Sequence, residues 1–157
     1  MVNKTKQEFL QFFVNEHLPK YVINLLEDAY LEENGEDVED SLFIGFTFDI
    51  FTEKFVNILC KLIEANWHTQ HEDIARILKD LKSPDSIDSL YQAAIANHDY
   101  LSYSDASPLA VKCIWALFAI GTEEAKEKLK LLAHSHDEVT RRVALKRLND
   151  FESQGGR

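Results

Sequence analysis

Residues 111–133 read VKCIWALFAIGTEEAKEKLKLLA, and their punctuation decides how the rest of the chain is read. An apolar run ends at Gly121, a residue that closes a helix because it accepts a left-handed backbone without a Cβ clash. Thr122 follows at once with Glu123 and Glu124, a side-chain cap and two acids suited to the positive end of a new helix. The segment is therefore expected to be two short helices joined by a tight turn.

The same punctuation recurs on both sides. Ser83-Pro84-Asp85 offers a cap, a proline at the first helical position and an acid in the first turn. Ser107-Pro108 repeats the cap and proline, and Ser135-His136-Asp137-Glu138 has the spacing of a capping box. The segments also match one another. Leu78, Leu81 and Leu90 map onto Leu117, Ile120 and Leu129 at an offset of 39. At an offset of 28, Val111, Ala116, Leu117 and Ile120 map onto Val139, Ala144, Leu145 and Leu148, the difference being absorbed by the loop NHDYLSYSDAS at 97–107. A recurring helix-pair unit of this length signals a solenoid.

With these residues in view, VKCIWALFAIGTEEAKEKLKLLA resembles the HEAT-like repeats of the phycobilin-lyase type: a basic residue after Val, then Ala-Leu, Ile-Gly and an acidic helix start. KSPDSIDSLYQAA resembles the following helix of the preceding copy. The likeness covers about residues 70–149. It implies a fold and almost nothing about activity, because such arrays serve many tasks. Two positions depart from the pattern: Lys82 stands where the later copy has Gly121, and Thr140 where Lys112 is.

Toward the N-terminus, a first helix is expected over Thr5–His17, bearing Phe9, Leu10, Phe12 and Phe13. Pro19 suits the first turn of a second, which Val22, Leu25, Leu26, Ala29 and Tyr30 continue at amphipathic spacing until Asn34-Gly35 supplies a left-handed stop. In SLFIGFTFDIFTEKFVNILCKLIEAN, residues 41–66, Ile44, Phe48, Phe51, Phe55, Leu59 and Leu62 step by threes and fours, which reads as one long buried helix. The fold class expected is thus all-α: a short α-solenoid of HEAT-like helix pairs over 67–149, an N-terminal helical cap over 1–66 and a flexible tail from 150, all in a single domain.

The 157-residue length suits one domain that buries about 70% of its unfolded surface. Five glycines and three prolines leave few tight turns, which favours helices. MVNKTKQEFLQFF lacks the apolar core of a signal peptide, and no membrane span is visible. Cys60 and Cys113 lie in apolar stretches and read as reduced core residues, so a cytoplasmic location is expected.

The charge is localised. Of 27 acids, ten fall between Glu27 and Glu53 with no Lys or Arg among them, leaving 17 acids against 17 bases elsewhere. One segment holds the whole net charge of −10. Such a patch attracts cationic surfaces and repels phosphate backbones, so a basic protein partner is expected and a nucleic-acid partner is not.

Catalytic signatures are missing: there is no Gly-rich phosphate loop, no nucleophile elbow, and no pair of carboxylates in contrasting environments. His68-x-x-His71 with Glu72 and Asp73, and His134-x-His136-Asp137, have ligand-type side chains, yet both read as polar helix starts rather than metal sites. Arg141, Arg142, Lys146 and Arg147 make only a small basic surface on the last helix. No cofactor is expected. Two binding candidates remain: the acids Glu33, Glu36, Asp37, Glu39 and Asp40, and the loop aromatics Tyr100 and Tyr103 with Asp105. Each has a plainer reading, a solvated acidic loop in one case and tyrosines folded back on the stack in the other. The whole chain also loosely resembles small bacterial HEAT-like immunity proteins. That resemblance implies a non-enzymatic, monomeric inhibitor that occludes the substrate cleft of a basic nuclease toxin. An assembly scaffold or adaptor is the second reading, and a lyase-like enzyme the third.

Overall fold

The computed structural model describes residues 2–102 and 104–155. Among them are nine α-helices and no β-strand: α1 (Val2–Phe12), α2 (Leu18–Glu32), α3 (Gly35–Phe48), α4 (Val56–Glu64), α5 (His71–Leu81), α6 (Ile87–Ile95), α7 (Pro108–Ile120), α8 (Glu123–Leu132) and α9 (Glu138–Gly155). No described helix is long and apolar enough to cross a membrane.

From α4 onward each helix packs by a simple alternation. Helices α5, α7 and α9 lie side by side; α4, α6 and α8 form the facing row. The apolar stripes explain it. Helix α4 buries Val56, Ile58, Leu59, Leu62 and Ile63 along one face. Helix α7 is apolar nearly all round and touches α5, α6, α8 and α9, burying Cys113, Ile114, Ala116 and Leu117 at the centre. A large apolar side chain such as Ile114 or Leu117 contributes about 1.5–3 kcal/mol by leaving water. Cys60 and Cys113 are both free thiols, Cys113 fully buried.

Gly121 ends α7 at φ 72°, and the Thr122 hydroxyl accepts from the Ala125 N–H, as the sequence implied. Other boundaries differ. The single helix expected over 41–66 is two, because Asp49 turns left-handed at φ 52° and the chain doubles back. Phe51 then lays its ring on Gly45, so closely that a Cβ there would stand 2.2 Å from it. The apolar spacing runs through this break because both halves face the same core. Phe48, expected to be buried, is about half exposed. Helix α2 stops one residue earlier than Asn34-Gly35 suggests: Glu33 takes the left-handed turn, Asn34 caps α3 by accepting from the Asp37 N–H at 3.0 Å, and Gly35 begins α3.

Two caps are reassigned. Ser107 is itself left-handed and makes no cap bond; its hydroxyl donates instead to Asp137 Oδ2 at 2.7 Å. The capping box at Ser135 gives way to Asp137, which accepts from the Thr140 N–H at 2.9 Å and Thr140 Oγ1 at 2.6 Å. The helix expected over Thr5–His17 is divided at Phe12, where a π-turn over Phe13–His17 takes over. Phe9, Leu10, Phe12 and Phe13 are all exposed along this stretch. Residues 150–155, expected as tail, continue α9, and Phe151 packs on Phe118 with ring centroids 4.6 Å apart.

Candidate partner-binding edge

The starts of α3, α5, α7 and α9 are linked in a row. At α3, Gly35 lies against the Trp67 carbonyl and His68, leaving 3.4–3.5 Å for a Cβ. His68 stacks on His71 at the head of α5, 4.1 Å between centroids. His71 stacks in turn on His98 at 3.9 Å and meets Tyr100 of the α6–α7 loop. Ser107, at the head of α7, reaches Asp137 at the head of α9. Loops distant in sequence thus form one continuous edge.

The hydrogen bonds fix the ring protons. Gln70 N–H donates to His68 Nδ1 at 2.9 Å, so Nε2 carries the proton and donates to the Leu62 carbonyl at 2.6 Å. His71 donates from Nε2 to the Ala65 carbonyl at 2.5 Å and accepts at Nδ1 from the Tyr100 hydroxyl at 2.6 Å. His71 thereby satisfies the Ala65 carbonyl, and His68 adds a second donor to the Leu62 carbonyl, which also accepts from the Ala65 N–H at 3.1 Å. All four ring nitrogens are engaged within the protein. Burial pushes the His71 pKa down to about 4, although its bond to Ala65 works the other way. Burial lowers His68 and His98 as well, and it raises Tyr100 to about 12. His98 Nε2 is buried with no hydrogen-bond partner among the described residues. At neutral pH the stack is uncharged, and protonating it would place positive charges face to face.

Glu33, Glu36, Asp37, Glu39 and Asp40 are all exposed around the turn into α3, next to this stack. Asp105 is exposed on the α6–α7 loop, where it lines a cleft of about 800 Å³ with His98, Asp99, His136, Asp137 and Glu138. Tyr100 does not reach outward: its hydroxyl is spent on His71. Tyr103 lies outside the described residues. Asp137 accepts from Thr140 and Ser107, and these bonds hold its carboxyl below the usual range.

The acids and the loop, two separate candidates in the sequence, are therefore joined by a histidine stack. His68-x-x-His71 was the visible part of that signal. Nothing local could add His98, which arrives through the folding of a loop 27 residues further on. Searches against protein-family models, curated proteins and solved structures find no match to this chain.

Proposed function

We propose that the chain is a protein-binding module: a short HEAT-like α-solenoid with an N-terminal helical cap, whose acidic edge captures a basic protein. The repeat reading is supported by burial. Leu78 and Leu117 are both buried, Leu90 and Leu129 likewise, and Leu81 and Ile120 are both half-buried. Lys82 adopts the same left-handed backbone as its counterpart Gly121. The one discordant position is Leu145, exposed where Leu117 is buried, because α9 ends the row.

The observation that carries the binding reading is the placement of charge. Glu33, Glu36, Asp37, Glu39 and Asp40 are all exposed around the turn from α2 into α3, no Lys or Arg lies between Glu27 and Glu53, and the stack of His68, His71 and His98 lies beside that turn. Clustered exposed carboxylates steer a cationic partner over a Debye length, and a preordered base lowers the entropy lost on docking. The narrower form is an immunity-type inhibitor that covers the active site of a basic nuclease toxin; Asp105 and the loop of Tyr100 and Tyr103 would then extend the contact.

Affinity capture from the native cell, run in parallel with a variant carrying Glu33→Gln, Glu36→Gln, Asp37→Asn, Glu39→Gln and Asp40→Asn, tests this reading. A basic protein retained at physiological salt by the wild type and lost by the variant is the expected result. Equal retention by both, or none by either, rejects it. Several weak partners indifferent to the five substitutions would instead support the assembly scaffold.

A further inference from the structure

Away from the acidic edge, a pocket of about 350 Å³ opens between α5 and α7, lined by Arg76, Lys79, Lys112 and Trp115. The lining follows from helix geometry. Arg76 and Lys79 are three apart on α5, Lys112 and Trp115 three apart on α7, so each pair shares a face, and these two helices pack together. Three cations converge on one indole in a chain of net charge −10.

Both ends of the pocket are held in place. The Arg76 guanidinium lies 4.8 Å over the Phe46 ring, and Arg147 lies 4.0 Å over Trp115 from α9. Trp115 remains 42% exposed. Lys112 pairs with Glu72 at 3.0 Å and Arg76 with Asp73 at 3.5 Å, while Lys79 makes no ion pair among the described residues. Exposed pairs of this kind are weak and can be exchanged for a more highly charged anion.

We propose that this pocket binds a small organic anion, a flat ring lying against Trp115 and a phosphate held by Arg76, Lys79 and Lys112; a nucleoside monophosphate has that chemistry. The volume falls at the small end of ligand pockets, room for one ring and one anionic group. Arg76 supplies a planar fork for two phosphate oxygens, and the lysines act as point charges beside it. This site is independent of the acidic edge and stands or falls separately.

Trp67→Phe leaves Trp115 as the sole tryptophan reporter in the full chain. In that background, adenosine monophosphate is expected to change the fluorescence saturably, with adenosine and inorganic phosphate each at least about tenfold weaker, since each keeps half of the contacts. Lys79→Gln with Lys112→Gln is expected to weaken the monophosphate about tenfold or more while leaving the thermal melt unchanged. The proposal is overturned if no titration saturates, if phosphate alone binds as well as the monophosphate, or if the double variant binds like its parent. Preference for an acidic, aromatic peptide over the monophosphate also overturns it, by making the pocket a protein contact.

Discussion

Helices α4–α9 and α1–α3 solve opposite problems. The first set alternates in two rows around Leu59, Leu62, Leu78, Leu90, Leu117 and Leu129, and its charges, 15 acids against 12 bases, come close to cancelling. The second exposes Phe9, Leu10, Phe12, Tyr21, Leu31 and Phe43, and it holds most of the acidic segment. Left-handed turns at residues with side chains do not separate the two sets: Glu33 and Asp49 lie in one, Lys82 and Ser107 in the other. What differs is exposed apolar area, which a scaffold minimises and a surface kept for a partner tolerates. The contrast places the largest buried core in the rows and the exposed aromatics and acids at the N-terminal end, where the proposed binding surface lies.

The largest effect should come from the centre of the rows. Leu117→Ala is expected to cost about 3 kcal/mol, from lost burial plus the cavity left among four helices. Phe9→Ala (66% exposed) and Phe43→Ala (70% exposed) should each stay under about 0.5 kcal/mol. Urea unfolding of the three variants decides the matter; a Phe43→Ala cost near that of Leu117→Ala would break the comparison.

Acidification should act through the seam between the two sets. The folded His71 has a pKa of about 4 against 6.5 unfolded, so the unfolded chain binds more protons within that window. Stability is therefore full above pH 6.5 and is lost as the pH falls toward 4. His71 alone should account for roughly 2 kcal/mol between pH 7 and 4.5 after allowance for solvent screening. His68 and His98 are shifted in the same direction and add to it. His71→Phe should flatten the dependence seen in melts across this range; an unchanged slope contradicts the neutral stack.

Gly45→Ala comes next. Its new methyl meets the Phe51 ring, which is wedged between Phe46 and Phe55 at 5.2 and 5.1 Å, so a cost of about 1–3 kcal/mol is expected. Smallest are the left-handed turns. Lys82→Gly and Glu33→Gly should each stabilise by about 0.5–1 kcal/mol, raising the melting temperature by roughly 1–4 °C, whereas Gly121→Ala should lower it.

Legibility divided along the same line. In the rows, local signals agree with the fold: Gly121 and Thr122 do what their chemistry dictates, and the offset of 39 pairs residues of equal burial. Where the sequence misled, a distant contact had outweighed a local preference. Ser107 gives up capping to reach Asp137, 30 residues away. The break at Asp49 was hidden because its flanking helices share one apolar rhythm. At the site, the exposed acids were readable from composition alone. The histidine stack was not, since three loops must close before His68, His71 and His98 meet.

The association rate of the captured partner, followed by stopped flow as salt is raised, addresses the acidic edge most directly. Wild type should associate fast at low salt and slow steeply with added salt, while the five-site neutral variant should start about ten- to a hundredfold slower and vary little. Superimposable salt curves for the two proteins would contradict the account.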